Sequence, residues 1–206
     1  MTGPVPRVRA WPQIPGVTRG LGRDRPPTEP TGYEGLNRAL NGGWPISAVS
    51  QIIASSSGLG ISLLTPALAR MTAAGRHVAL VAPPFVPYAP ALRDEGVVLT
   101  RLAWIDPKDR IDALRSTEQL LRSGLFGGVA LWIPALAAPI VRRLQVAADT
   151  GKAIAFLMHG EAAEADSTPA VRLDVQPSHE GLRITVERCR GARGGDTVVA
   201  PFRFAA

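Results

Sequence analysis

The residues with the clearest potential for chemistry lie between Ala48 and Ser62, in the stretch AVSQIIASSSGLGIS. A short apolar run leads into three serines and two glycines, and an apolar pattern typical of a helix begins at Ile61. A strand, a Gly/Ser-rich turn and a helix form the architecture of phosphate-binding loops, where backbone N–H groups converge on an anion. The nucleotide-binding candidates are therefore Ser57, Gly58, Gly60 and Ser62.

The residue that such a loop needs most is missing. In the pattern G-x-x-x-x-G-K-[ST] a lysine follows the last glycine, and here Ile61 follows Gly60. Ser62 stands at the hydroxyl position and could still bind a metal ion, but serine is also common at the beginning of helices. Capping or facing the start of the helix is the favoured interpretation of Ser62.

The histidines and the single cysteine offer little further chemistry. His77, His159 and His179 are scattered, without the spacing of a metal site. His159 ends a predicted strand at the edge where α/β sheets bind ligands, yet a solvent-facing loop position is the favoured interpretation. One cysteine excludes a disulfide within the chain and a thiolate metal cage. We expect Cys189 to be buried or half-buried, without a nucleophilic role.

Composition indicates one globular domain and a basic surface. The chain has 206 residues, of which 46% are hydrophobic and 19% charged, and its net charge is +6. Nearly all the positive charge is arginine, which is compatible with nucleic acid or an acidic partner, although a GC-rich genome also explains it. No apolar run reaches the ~18 residues of a membrane helix, and no signal-peptide core is visible. We expect a cytoplasmic protein without membrane contact.

Residues 1–30 differ from the rest of the chain. They contain seven prolines and five arginines and lack a periodic apolar pattern, which predicts an extended or disordered arm. Trp11 is a candidate anchor for a partner or for DNA, although packing on its own domain is the simpler role. Weak binding of the arm to single-stranded DNA is a hypothesis that deletion of residues 1–30 would test. The globular domain is expected over residues 31–206.

Strands and helices alternate along most of this domain. The predicted strands span residues 48–54, 77–82, 102–105, 127–133 and 153–158. The predicted helices span residues 31–40 (capped at Thr31 or Gly32), 61–74, 88–94, 109–122 (with Ile111, Leu114 and Leu121 inward) and 135–149. Continuous apolar strands separated by helices predict a parallel sheet that is covered on both faces.

The pattern changes after His159. Residues 170–176 and 182–190 alternate between apolar and polar side chains, and residues 197–204 are a candidate third strand, with hairpin loops between the three. Leu182, Ile184 and Val186 share one face, and the alternation would place Arg188 on it too. The predicted fold class is α/β, with a mainly parallel sheet flanked by helices and a C-terminal antiparallel hairpin extension.

Several segments, in this order, resemble the RecA core over roughly residues 31–204. They are TGYEGLNRALNGGWP before the first core strand, VVLTRLAWIDP, STEQLLRSGLFGGVALW, VRLDV, and RITVERCRGARGGDTVVAPFRF. Within that superfamily the TGY, GGWP and VAPPFVPYAPAL segments resemble ImuA, the RecA-like accessory protein of damage-inducible mutagenesis in bacteria. SulA-type cell-division inhibitors, which share a degenerate RecA-like core, are a second relative.

The resemblance implies where an ATPase of this fold would carry its acids. A metal-binding acid is expected at the end of the fourth strand, but LWIPAL contains none. A glutamate that activates water is expected after the second strand, but APPFVP contains none. We therefore expect no ATP hydrolysis, weak or no nucleotide binding, no cofactor and no resident metal. Arg188 and Arg190 match the paired basic residues that reach a neighbouring subunit in RecA filaments, and are candidates for a protein or DNA interface.

The resemblance further implies a non-catalytic role in translesion DNA synthesis. The implied partners are an ImuB-type Y-family polymerase-like protein, the error-prone replicative polymerase and RecA. One alternative is a SulA-type inhibitor that binds FtsZ, and another is a weak nucleotide- or DNA-binding RecA-like protein. Genes for ImuB and a second replicative polymerase beside this one would favour the first role.

Overall fold

A computed structural model describes residues 27–160, 169–192 and 194–201. Its strands are β1 (Thr28–Glu29), β2 (Trp44–Pro45), β3 (Ala48–Ala54), β4 (His77–Val81), β5 (Leu102–Ile105), β6 (Phe126–Trp132), β7 (Ile154–His159), β8 (Val171–Ser178), β9 (Gly181–Cys189) and β10 (Thr197–Ala200). Its helices are α1 (Glu34–Ala39), α2 (Ser57–Ala73), α3 (Ala89–Asp94), α4 (Arg110–Arg122) and α5 (Ala138–Gly151), with a 3-10 turn at Leu99–Arg101.

Eight of these strands form one sheet, in the order β10-β9-β8-β3-β7-β6-β4-β5. The six strands from β8 to β5 in that order run parallel, and β9 and β10 add an antiparallel extension beside β8. The predicted fold class, a mainly parallel sheet flanked by helices with a C-terminal antiparallel hairpin, is confirmed. Strands without polar alternation fit this position because both faces of the sheet are covered.

Successive strand residues supply two separate cores. On one face Phe156 packs with α2 and with Trp44, whose ring lies edge-on to it at a centroid distance of 5.2 Å. On the other face Ala155 and Leu157 pack beneath α4 and α5. This division follows from the alternation of side chains along a strand. The fold therefore depends on both layers of helices.

Residues 29–33 pack closely against α2 and also form an ion pair with it. Pro66 lies inside α2 and has no N–H, so the Ser62 carbonyl is free to accept a hydrogen bond from the Tyr33 hydroxyl at 3.4 Å. A Cβ on Gly32 would lie 2.3 Å from Pro66 Cβ, so only glycine fits there. Glu29 forms an ion pair with Arg70 at 3.1 Å.

Two predictions about this segment need correction or restriction. Helix α1 begins at Glu34 after Tyr33, so the predicted cap at Thr31 or Gly32 is wrong. The Thr31 hydroxyl instead accepts from the Tyr33 N–H at 3.1 Å and lies 2.8 Å from Asn37 Oδ1. Residues 28 and 29, which the sequence assigned to the arm, form β1 against β2. The rest of the arm up to residue 26, with Trp11, lies outside the described residues.

Helix α4 begins where the sequence predicted but presents a different face. Asp109 caps it, because its Oδ1 accepts hydrogen bonds from the N–H groups of Ile111 and Asp112 at 2.7 and 2.8 Å. Ile111 is 59% exposed, so its predicted inward position is wrong. The buried stripe instead follows Ala113, Thr117 and Leu121, and Ile111 in the first turn lies away from it.

A β-bulge in β9 changes the expected face of its last residues. Arg188 pairs with Arg172, but Val186 pairs with the next residue, Leu173, so Glu187 is the additional residue. The bulge reverses the alternation. Arg188 is therefore exposed and Cys189 is buried, and the prediction that Arg188 continues the buried face is wrong.

Candidate functional site

The predicted phosphate loop is replaced in large part by the first turn of α2. The helix begins at Ser57, four residues before the predicted start, and the Leu59 N–H donates to the Ser56 carbonyl at 3.1 Å. Leu59 and Ile61 pack against the buried core on this face of the sheet, which favours a helix that includes them. Only residues 55 and 56 remain between β3 and the helix.

The four candidate binding residues are part of helix α2. Gly60 allows α2 to approach β7, because a Cβ there would lie within 2 Å of the end of the Met158 side chain. Gly58 has open space where a Cβ would be. The Ser62 hydroxyl donates to the Gly58 carbonyl at 3.3 Å, a bond within the helix. Only the backbone of Ser57 is described.

At the same edge of the sheet, the ends of β4 and β6 carry apolar residues. Strand β4 ends at Val81 and leads into Pro83, and β6 ends at Trp132 and leads into Ile133. These are the positions where an ATPase of this fold would carry its glutamate and its metal-binding acid. Within the described ranges, no group of three or more His, Cys, Asp or Glu side chains could hold a metal ion. The ends of these two strands therefore offer apolar contacts in place of charge.

His159 is a buried histidine at this edge, and its predicted loop position is wrong. It is the last residue of β7 and is 5% exposed. Its Nδ1 lies 2.8 Å from the Ile133 carbonyl, so the neutral ring carries its proton on Nδ1. Burial lowers the pKa of His159, and the charge of Arg172 lowers it further, while the bond to Ile133 opposes both. The ring therefore favours the neutral form.

Arg188 and Arg190 lie at the opposite edge of the sheet. Strand β8 runs parallel to β3, and β9 returns antiparallel, so the end of β9 lies beside the beginning of β8. The Arg190 N–H donates to the Ala170 carbonyl at 2.7 Å. Both side chains are exposed and lie far from the start of α2. Burial raises the pKa of the nearby Cys189 thiol, which keeps it protonated.

Sequence reasoning missed an apolar cleft of about 600 Å³ at the edge of the sheet where α2 begins. It lies between α2, the segment 83–88, α3 and the last residues of the hairpin extension. Ile61, where the lysine would stand, is part of its wall. The other residues that line it include Tyr33, Thr65, Leu80, Leu92, Trp132, Leu182 and Pro201.

The segment PPFVPYAP forms one rim of the cleft and exposes large apolar side chains. Phe85, Val86 and Tyr88 are 73%, 71% and 72% exposed. The prolines of this segment restrict its backbone, so the backbone loses little conformational entropy on binding. Aromatic residues exposed together at a cleft mark an interaction surface. The signal in the sequence that could have revealed this surface was the presence of aromatic residues between prolines.

The substitution Gly58→Ala tests whether this segment is helical. We expect the free energy of unfolding to rise by roughly 0.5–1 kcal/mol, because alanine favours a helix and no atom obstructs its Cβ. Denaturant unfolding provides the measurement. The control Gly75→Ala should destabilise, since Gly75 has a φ of +89°. A loss of stability in Gly58→Ala would contradict a helical Gly58.

His159 should make stability depend on pH. Its folded pKa lies below the ordinary value of 6.5, so below about pH 6.5 the unfolded chain binds a proton that the folded chain does not. The free energy of unfolding should therefore fall as the pH is lowered through this range, by about 1.4 kcal/mol for each unit of pKa lowering. Thermal unfolding between pH 7.5 and 5 measures it. His159→Gln should weaken this dependence, and His179→Gln, at an exposed position, should retain it.

Comparisons with known proteins agree with the architecture. No protein-family model and no curated protein matches the sequence. Among solved structures, the RadB recombinase matches with a TM-score of 0.68 and 16% sequence identity, over 82% of this chain and 94% of that one. At this level of identity the likeness establishes the fold alone, and the fold of this chain is RecA-like.

Proposed function

We propose that the chain is a non-catalytic, cytoplasmic accessory protein of damage-inducible translesion DNA synthesis. It acts through contacts with an ImuB-type Y-family polymerase-like protein, and with the error-prone replicative polymerase and RecA as further partners. The observation that carries the proposal is the start of α2 at Ser57, with Ile61 in the place of the lysine, within a RecA-like fold. The resemblance of its segments to ImuA supports the biological setting.

The loss of ATP chemistry is supported at three separate positions. Without the lysine, several negative phosphate charges have no side-chain partner, which costs several kcal/mol at low effective dielectric. The helical first turn also uses the Leu59 N–H internally, so one donor that could bind a phosphate is engaged. The two acid positions hold apolar residues. If only one of these residues were absent, a misaligned motif could explain its absence.

The surface around the former loop supports a binding role. The cleft and its rim place apolar side chains in contact with solvent, where burial against a partner would be favourable. Trp104, Ile111 and Leu125 are exposed elsewhere as single residues, which is ordinary for a protein surface. Clustering, rather than exposure by itself, distinguishes the rim.

We expect no saturable binding of ATP at millimolar concentration, with or without Mg²⁺, because neither a lysine nor a metal acid is present. Isothermal titration calorimetry is the measurement. The variant Ile61→Lys should not gain ATPase activity, since the acids are still missing. Tight, Mg²⁺-dependent ATP binding by the unmodified chain would overturn the non-catalytic proposal.

We expect the chain to co-purify with ImuB when the two are expressed together. The double variant Phe85→Ser, Tyr88→Ser should weaken the complex at least tenfold, because both side chains are exposed at the rim and removing them leaves the core intact. Ile111→Ser removes an apolar side chain from α4 that is 59% exposed, and it is the matched control.

The readout is size-exclusion chromatography followed by affinity measurement on the purified proteins. Absence of any complex with ImuB would sink the proposed function. Blocked FtsZ polymerisation in the presence of this chain would instead favour a SulA-type inhibitor.

A further inference from the structure

The walls of the cleft recognise shape and apolar surface rather than hydrogen-bonding groups. The Thr65 hydroxyl donates to the Ile61 carbonyl at 2.8 Å, and the Ser62 hydroxyl donates to the Gly58 carbonyl. The Tyr33 hydroxyl donates to the Ser62 carbonyl. These three hydroxyl groups therefore have backbone partners, and an occupant gains most by burying apolar side chains.

The charged groups of the cleft are acidic. Among the described residues that line it, Asp94 and Glu95 are the only ionisable acidic or basic ones, apart from the tyrosines. Asp94 forms an exposed pair with Arg93 at 3.1 Å, which contributes little, and none of the ion pairs among the described residues involves Glu95. The net charge of the whole chain is +6. Asp94 and Glu95 therefore favour an occupant that carries a positive charge.

The chain itself leads into this cleft. Strand β10 pairs Ala200 with Leu182, and both Leu182 and the next residue, Pro201, line the cleft. Gly181 makes this approach possible, because a Cβ there would lie 2.1 Å from the Ala200 carbonyl oxygen. Pro201, the residue that precedes residue 202, is therefore held at the cleft wall.

The sequence that follows Pro201 is Phe-Arg-Phe-Ala-Ala, residues 202–206. In an extended segment the side chains of residues 202 and 204 share one side, and that of residue 203 lies on the other. Five extended residues reach roughly 17 Å, enough to cross a cleft of this size. Two aromatic side chains on one side and an arginine on the other match the apolar wall of the cleft and its two acidic residues.

We propose that residues 202–206 occupy the cleft of their own chain, with Phe202 and Phe204 against the apolar wall and Arg203 towards Asp94 and Glu95. An extended occupant also brings backbone carbonyl groups. Trp132, in the cleft wall, has a buried indole N–H without a hydrogen-bond partner among the described residues. A carbonyl of the occupant is the kind of acceptor that this donor lacks. A partner segment with the same pattern would have to displace residues 202–206.

A competition experiment tests this. A fluorescent Phe-Arg-Phe-Ala-Ala peptide is titrated with the full chain and with a variant that ends at Pro201, and polarisation is recorded. The shortened chain should bind the peptide, and the full chain should bind it at least tenfold more weakly, because its own segment acts at a high effective concentration. The full chain with Phe202→Ser and Phe204→Ser should bind it like the shortened chain. A peptide with glutamate in place of arginine should bind more weakly.

Each other outcome overturns the proposal. Equal peptide binding by the full and shortened chains would show that residues 202–206 leave the cleft open for a partner. No binding by either chain, with both confirmed as folded by circular dichroism, would show that the cleft does not recognise this pattern. A difference that disappears on dilution of the protein would assign the segment to a second copy. The experiment contains no ImuB, so its failure leaves the proposed function standing.

Discussion

The structure depends on the position of β3 between two parallel neighbours. Its residues pair with β7 on one side and with β8 on the other, and all seven are buried. Because β8 also begins the antiparallel extension, β3 joins that extension to the rest of the sheet. Helix α2 leaves the end of β3 after two residues, so it starts close to the sheet. The segment that the sequence predicted as a phosphate loop thus lies directly beside the central strands, and its residues 57–60 are part of α2.

Packing also explains which parts of the loop have survived as scaffold. Gly60 has no room for a side chain, because Met158 of β7 occupies that space. A phosphate-binding loop would hold its backbone N–H groups open towards an anion. Here the apolar side chains of Leu59 and Ile61 instead pack against the core, and burying them stabilises a helix that begins early. An aliphatic residue at position 61 therefore favours a helical start to α2 through its packing.

The sequence predicts the strands well because their side chains are apolar on both faces, and strands such as 48–54 and 102–105 agree with the structure to the residue. It fails where tertiary contacts override a local pattern. The glycines and serines of residues 57–60 indicate a loop by composition, but core packing makes them helical. The alternation in β9 gives no sign of the bulge at Glu187, which depends on pairing with β8. The cleft unites α2, α3 and the hairpin extension, which no single segment reveals.

The two ends of the sheet have acquired different surfaces. The exposed Arg188 lies beside the beginning of β8, whereas the apolar rim with Phe85 and Tyr88 lies at the opposite edge. Leu182 in the cleft wall and Arg188 lie on the same strand, β9, so the length of that strand separates the two surfaces. Hydrogen bonds to β8 on one side and to β10 on the other hold β9 in the sheet. The apolar cleft and the exposed arginines therefore keep a fixed position relative to each other.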